Sequence, residues 1–342
     1  MLTSVVVVAA RDPARLSRCL QAVARGAGDV DHEVVVVLNA SEPELRDAVP
    51  AGTRVIASDI PLGFAGGANL GAAHSRGELL HLLHDDALPT PGWLSALVGA
   101  LAEEPRAASA GSLLLDLDGE RPQAAGGVLW QDGLTSPRTT VPDRTTVVDY
   151  CSSASVLVRR EAWAAIGGLD EELYPGQYVD VDLALALQSR GHLTVCTPAS
   201  VVLHARGGSS SPRQKTFSAA RNRARLLAKW GPVVAGQAPR GEDAAAFACA
   251  AERTRRRADE VRALSPVTAA DLLPAAAVDM RRALERHAAF LRAYADWLVA
   301  ELDRADKIEA EAVRMHGEID RLHAAYAAER AARVALEERL LD

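Results

Sequence analysis

The 342-residue chain lacks several features that would have pointed elsewhere. Its four cysteines, Cys19, Cys151, Cys196 and Cys249, are scattered and show neither zinc-ligand nor disulfide spacing, which fits a reducing compartment. There is no basic excess: the net charge is -7 and the pI about 5.8, so nothing favours nucleic acid as a partner. The basic residues are nearly all Arg and Ala is abundant, a coding bias rather than a chemistry. No apolar run approaches the roughly 20 residues of a membrane span. Met1 leads straight into Val5–Val8 without the basic, apolar and cleavage regions of a signal peptide. These absences predict a cytoplasmic protein.

What is present is enough apolar sequence for a large core, 49% of residues, and a length that suits one large domain plus an extension, or two domains. The chain is organised around Gly77 to Trp93. An apolar run, Leu79 to Leu83, stops at two adjacent carboxylates, Asp85 and Asp86. Short, apolar and bounded by turn residues, the run predicts a buried strand, with Pro89 and Pro91 ending it and a helix starting at Trp93. The carboxylates then stand at the carboxyl end of a strand, where open α/β sheets bind ligands. Two readings fit them: a solvated Asp-Asp turn, or a site for Mg²⁺ or Mn²⁺ that could hold a diphosphate.

Thr3 to Ala10, Glu33 to Leu38 and Arg54 to Ala57 predict three more strands, with an amphipathic helix over 13–24 between the first two. Strands buried on both faces and alternating with helices predict a parallel sheet. Between the third and fourth strands lies Pro61-Leu-Gly-Phe-Ala-Gly-Gly-Ala-Asn-Leu-Gly71, expected to turn into a helix over Ala68 to Ser75. Gly63, Gly66 and Gly67 suit close backbone approach to a ligand, or simply a glycine turn. The loop is not a Walker A motif, having no Lys-Ser or Lys-Thr after it, and its spacing is wrong for a dinucleotide fingerprint.

Ala107 to Leu115 predicts another strand, Gly119 to Arg144 loops or short antiparallel strands, and Val147 to Val158 a strand pair carrying Cys151-Ser-Ser-Ala154. A short helix over Arg160 to Ile166 ends at Gly167-Gly168. Asp180 and Asp182 then flank Val181 at the start of an apolar helix, with Asp180 a plausible N-cap. One of the pair could equally be a general base. Leu193 to Thr197 and Val201 to His204 read as strands. A lone His in such a place is more often structural than a ligand, unless the fold brings it to Asp86. Arg206 to Lys215 is a basic loop, either closing over a diphosphate or solvated. A helix over Phe217 to Trp230 ends at Gly231-Pro232.

From Ala275 to Leu341 only Gly317 breaks a run without Gly or Pro. Leu284, Leu291, Leu298, Ala305, Ala312, Ile319 and Tyr326 recur every seven positions, with Ala288, Ala295, Leu302, Met315, Leu322 and Leu336 in a second stripe. This predicts a coiled coil or long helical hairpin, with a helix packed back on the domain as the alternative. The expected division is 1–232 for the main domain, 233–274 for linker and short helices, and 275–342 for the helical tail.

In order and spacing, residues 3 to about 230 resemble the family 2 glycosyltransferases, the rhamnosyltransferase-like inverting enzymes of the GT-A fold. The matching pieces are Ser4–Val8, Val34–Ser41, Leu62–Gly71, Leu82–Ala87 with Pro91-Gly-Trp93, Gly167–Asp170, Asp180–Leu183, and His204 followed by Gly207-Gly-Ser209. The resemblance implies an α/β fold, a Rossmann-like, mostly parallel GT-A sheet, followed by an all-α extension outside the likeness. It implies Asp86 as the metal-binding carboxylate of a DxD-type motif, holding Mn²⁺ or Mg²⁺, and His204 as the His that completes the metal site. Asp85 would face the donor sugar or ribose, and Asp180 matches the catalytic base. Ala9 to Arg11, Asn39, Gly66 and Asn69 would cradle the nucleoside and sugar. The implied partners are a nucleotide-sugar donor and a glycan, lipid-linked or small-molecule acceptor. Homo-oligomers through the C-terminal helices and a place at the inner face of the membrane are also expected.

The chain departs from this pattern. Ala9-Ala10-Arg11 replaces the usual Thr-Tyr-Asn, Leu38 stands where an Asp contacts the base, and His84 opens the metal motif in place of Asp. Val179 replaces a Glu before Asp180, and Ala186 stands where an Arg is expected. Leu cannot accept a hydrogen bond from a pyrimidine. A second reading follows, a catalytically degenerate GT-A protein that binds a glycan or partner through its tail.

Overall fold

A computed structural model describes residues 1–40, 44–205, 211–240, 244–264 and 279–305. They fall into two units, Met1–Ala288 and the residues from Ala289 onward.

In the first unit the valine runs become β1 (Thr3–Ala9) and β2 (His32–Asn39). Between them lies α1 (Pro13–Gly26). Asp12 caps it by accepting from the Arg15 N–H at 3.0 Å, Pro13 fills the first turn, and Leu16, Cys19, Leu20 and Val23 form its buried stripe. α2 (Glu44–Asp47) and β3 (Arg54–Ser58) follow. α3 spans Gly63–Ala73, so the glycine segment expected as a loop is the first part of the helix. The reason is packing. A Cβ on Gly67 would stand 2.6 Å from Val8 Cγ1, and one on Gly71 2.3 Å from Val6 Cγ1. One turn apart, these glycines let α3 lie directly on β1. Gly63, at φ 70, gives way in the same manner to Tyr174 and Pro175.

Then come β4 (Leu79–His84), β5 (Ala87–Pro89), α4 (Trp93–Glu103), β6 (Ala107–Leu115) and β7 (Pro122–Ala124). β8 (Gly127–Leu129) pairs with β9 (Thr135–Pro137) as a separate hairpin. β10 (Thr146–Val148), β11 (Ser155–Arg159), α5 (Arg160–Ile166), α6 (Val179–Gln188) and β12 (Leu193–His204) complete the sheet region. β12 is one strand rather than two, with its register broken between Thr197 and Val201, where Pro198 can donate no ladder bond. α7 (Pro212–Ala235) is capped by Ser211 and begins earlier than the sequence suggested. It kinks at Trp230, before Pro232, rather than stopping there. α8 (Ala244–Leu264) follows.

The large sheet has the order β10-β12-β6-β11-β4-β1-β2-β3, with β5 on β12 and β7 on β6. β4, β1, β2 and β3 run parallel, and β11 lies antiparallel between β4 and β6. One face packs on α1 and α4 through Leu16, Val23, Leu94 and Leu97, the other on α3, α5 and α6 through Ala68, Trp163 and Leu183. Helical residues 280–288 belong to this unit, where Arg286 pairs with Glu171 and Tyr174 Oη lies 2.7 Å from His287 Nδ1.

The second unit, as described to residue 305, is helical. Phe290, Tyr294 and Trp297 stack in succession, while Leu291, Val299 and Leu302 are exposed. The heptad positions Ala312, Met315, Ile319, Leu322, Tyr326 and Leu336 lie outside the described residues, as do Gly207-Gly-Ser209 and most of Leu264 to Pro274. Among the described residues no helix is long and apolar enough to cross a membrane.

Candidate active site

β4 is buried between β1 and β11 and is apolar but for His81, whose Nε2 lies 3.0 Å from the Ser155 hydroxyl; at its carboxyl end it gives way to His84, Asp85 and Asp86. Three residues beyond His84, β5 returns antiparallel to the end of β12 and sets Ala87 opposite His204. That pairing brings His204 to Asp86. His204 Nε2 lies 3.2 Å from Asp86 Oδ1, and His84 Nδ1 lies 3.7 Å from the same oxygen. One ligand atom from each of the three residues lies within 4.8 Å of the others. From α1, Arg15 Nη1 comes within 3.9 Å of Asp86 Oδ2.

The two adjacent carboxylates are driven apart electrostatically. Burial pushes Asp86 up, but His204, His84 and Arg15 outweigh it and hold the carboxyl at about 2. Burial, then the charge of Asp86, pushes Asp85 up to about 6, against Arg15 and the Ala10 N–H. Burial lowers His84 to about 4, with His204 acting the same way and Asp86 opposing. At neutral pH the site therefore offers a neutral imidazole beside an ionised carboxylate. Both ring nitrogens of His204 are buried with no hydrogen bond made. A buried imidazole nitrogen with no hydrogen bond, 3.2 Å from a carboxylate oxygen, fits a divalent ion.

Asp180 sits in the first turn of α6, one position inside the helix. The cap is not Asp180, as the sequence suggested, but Tyr178, in the left-handed region at φ 70. The Asp180 carboxylate accepts from the Val181 N–H at 3.0 Å, from its own N–H and from that of Ser153. Burial nevertheless pushes it up to about 6. Asp182, 3% exposed, is spent differently: Lys229 Nζ lies 2.8 Å from Oδ1 and the Trp230 indole donates to it at 2.7 Å. Lys229 also reaches Asp170 at 2.8 Å. Asp182 thus fastens α6 to α7, whereas no cationic side chain pairs with Asp180 among the described residues.

Ser153 joins the two parts. Its N–H holds Asp180, and its hydroxyl lies 3.4 Å from His84 Nε2. Nothing in the sequence marks this residue, one serine beside another in a short loop. Arg15 and Asn222 were equally hidden. Asn222, fully buried, donates to the carbonyls of Leu173 at 2.7 Å and Gln177 at 2.9 Å, and Arg221 donates to that of Tyr174 at 3.0 Å. Together they clamp the segment that leads into Asp180.

The residues expected around the nucleoside are engaged within the chain. Asn39 accepts from the Leu62 N–H at 2.7 Å and donates to the Gly63 carbonyl at 3.1 Å, closing the turn into α3. Asn69 accepts from the Leu169 N–H at 2.9 Å and donates to the Leu169 carbonyl at 2.9 Å and to Glu171 at 3.0 Å. It thereby ties α3 to Gly167-Gly-Leu-Asp170, where a Cβ on Gly168 would stand 2.6 Å from its amide oxygen. A Cβ on Gly66 would meet the Leu62 side chain at 3.0 Å. Leu38 and Ala9 are core residues. Arg11 lies exposed at the end of β1, where its charge acts on the Tyr174 hydroxyl.

Residues 4–164 match the model of glycosyl transferase family 2. The chain carries a family 2 glycosyltransferase domain. Its α/β/α layering is the GT-A fold, shared with the mannosyltransferase PcManGT from Pyrobaculum calidifontis, solved with GDP-Man and Mn²⁺. The TM-score is 0.53 at 17% identity, over 86% of this chain and 85% of that one. The glycosyltransferase domain is also similar to two proteins of Mycobacterium tuberculosis. One is the pre-mycofactocin glycosyltransferase, 29% identical over 142 residues, 42% of this chain and 30% of that protein. The other is the N-acetylglucosaminyl-diphospho-decaprenol L-rhamnosyltransferase, 29% identical over 157 residues, 40% of this chain and 50% of that protein. The chain thus spans half or less of the length of these relatives.

Proposed function

We propose that this chain moves a sugar from a nucleoside-diphosphate sugar to a hydroxyl acceptor in one in-line displacement that inverts the anomeric centre. The observation that carries the proposal is the double use of Ser153, which holds Asp180 by its N–H and faces His84 with its hydroxyl. Base and cation set are thereby supported by one residue. Asp180 takes the proton of the acceptor hydroxyl as that oxygen attacks the anomeric carbon. A carboxyl raised to about 6 is ionised at neutral pH and still more basic than an ordinary Asp. Asp86 and His204 would hold Mn²⁺ or Mg²⁺, which when bound neutralises charge on the departing diphosphate. Asp85 faces the donor sugar or ribose, and Arg15 adds a fixed positive charge beside both carboxylates. No covalent sugar-enzyme intermediate is required.

The acceptor is a glycan, lipid-linked or small-molecule hydroxyl, in synthesis of a surface polysaccharide, glycolipid or metabolite at the cytoplasmic face of the membrane. Exposed Leu284, Leu291 and Leu302 support a tail that pairs two copies of the chain. In light scattering, Leu291→Glu with Leu302→Glu should convert a dimer to a monomer, and a monomeric parent chain rejects the pairing.

The decisive test is Asp180→Asn, which should lower transfer about 10²- to 10⁴-fold while leaving donor affinity nearly intact. A fully active variant removes Asp180 from the mechanism. A second reading, binding without catalysis, is favoured by one observation: Asn39, Asn69 and Leu38 are all engaged in architecture. A thermal-shift panel of UDP, dTDP, GDP and CDP, with and without Mn²⁺, separates the two. A metal-dependent shift with one nucleotide supports the transferase, and no shift with any of them supports the binding protein.

A further inference from the structure

The proposed cation set rests on Asp86 and His204, and His84 Nδ1 lies 3.7 Å from the same carboxylate oxygen. We propose that His84 is a third ligand, and that this two-imidazole, one-carboxylate set selects a transition-series cation such as Mn²⁺ or Co²⁺ over Mg²⁺. The inference builds on the reading of Asp86 and His204 as the cation site and adds a ligand and a selectivity to it.

Geometry is the first argument. Ligands of one ion with bonds of about 2.1 Å stand about 3.0 to 4.2 Å apart, depending on the angle between them. The Asp86 oxygen lies 3.2 Å from His204 and 3.7 Å from His84, and the largest separation among the three donors is within 4.8 Å. A shift of a few tenths of an ångström closes the set. The two rings face each other edge-on, 5.7 Å between centroids, as ligands on adjoining positions do.

Support around the ligands is the second. His84 ends β4, and its backbone N–H donates to the Ala154 carbonyl at 3.1 Å, so the residue is fixed by the sheet. Its Nε2 faces the Ser153 hydroxyl at 3.4 Å, which directs Nδ1 toward Asp86. Metal-binding imidazoles are held in this way, by a partner on the nitrogen that does not bind. His204 presents Nε2, buried and with no hydrogen bond made, 3.2 Å from Asp86 Oδ1. Asp85, the other carboxylate of the strand tip, is taken by the Ala10 N–H and is not one of the three donors.

Donor chemistry is the third. Mg²⁺ prefers oxygen and gives up its water reluctantly. Imidazole nitrogen favours the later first-row ions, in the order Mn²⁺ below Co²⁺. With two nitrogens among three ligands, this site gains more from Co²⁺ and Mn²⁺ than an all-carboxylate DxD site would.

The test is calorimetric titration of the full chain with CoCl2, MnCl2 and MgCl2, each alone and then with UDP, alongside the visible absorption of the Co²⁺ form. The parent chain should bind Co²⁺ at least about tenfold more tightly than Mg²⁺. His84→Gln should weaken Co²⁺ about tenfold or more and change the Co²⁺ spectrum. His84→Asp should narrow the ratio of Co²⁺ to Mg²⁺ affinity, and its metal-free melting temperature serves as a control for folding. Equal ratios and spectra in parent and both variants, with binding retained, overturn the role of His84 and leave Asp86 and His204 standing. Absence of binding by every cation, alone and with UDP, overturns the cation site as a whole.

Discussion

At the tip of β4, His84, Asp86 and His204 converge, and both ring nitrogens of His204 are buried with no hydrogen bond made. On the β2–α3 side, Asn39 and Asn69 make five hydrogen bonds between them, all to other parts of the chain. Both regions are built from polar residues on or beside buried strands and helices. They differ in where the bonds go. Buried polar groups are almost always paired, so a group paired within the chain is architecture, and one left over is available to a ligand. By this criterion His204 keeps its capacity, whereas Asn39 and Asn69 have spent much of theirs. A different contrast divides Asp180 from Asp182, two residues apart on α6: among the described residues, backbone N–H groups alone meet the first, whereas the Lys229 and Trp230 side chains hold the second.

The largest effect expected from breaking this contrast is at Asn69. Asn69→Ala leaves the Leu169 N–H and carbonyl without their partner and removes a bond to Glu171, at a cost of about 2–3 kcal/mol. Urea unfolding should show the loss directly, with donor affinity changing only in proportion to the folded fraction. Unaltered stability with lost donor affinity would make Asn69 a ligand contact and erase the distinction between the two sides.

Asp182→Asn should change stability less, by about 1 kcal/mol or under at pH 7: burial raises the Asp182 carboxyl against Lys229 and Trp230, so loss of the solvent-screened pair is partly offset by loss of a buried charge. The Trp230 indole can still donate to the amide oxygen. Transfer by the folded variant should persist within a fewfold of the parent. Loss of transfer at full stability would exchange the roles of Asp180 and Asp182.

Much of this fold is legible in sequence because apolar runs must be buried. Val5–Val8, Val34–Leu38 and Leu79–Leu83 announce the parallel strands, and the abrupt stop at Asp85 and Asp86 marks a sheet edge. What escapes is pairing at a distance. His204 meets Asp86 only through the three residues of β5, too short a strand to carry a pattern of its own. Glycine is ambiguous for a physical reason: the missing Cβ serves a ligand or a neighbouring strand equally, and at Gly67 and Gly71 it serves β1. The choice between Asp180 and Asp182 depends on Lys229 and Trp230, on a helix that begins after β12 has ended. Nothing local to Val179–Leu183 records it.

The sharpest effect concerns the charge of Asp180. Burial raises its carboxyl to about 6 from an ordinary 3.8, so the folded chain holds that proton more tightly than the unfolded chain. Its contribution to stability is full below pH 3.8 and is lost as the pH rises through 6. At pH 7 the ionised group destabilises the fold, and Asn, with one oxygen still able to accept a backbone N–H, avoids much of that penalty. Asp180→Asn should therefore be about 1 kcal/mol more stable than the parent at pH 7, the gap closing toward pH 4. Transfer by the parent should rise through pH 6 and level off above it, since only the ionised form accepts the proton. A variant less stable than the parent at pH 7 would mean that the three N–H donors outweigh burial and that Asp180 is another architectural carboxylate like Asp182. A more stable and inactive variant would instead identify a group kept at a cost to the fold, which is the expected mark of a catalytic residue.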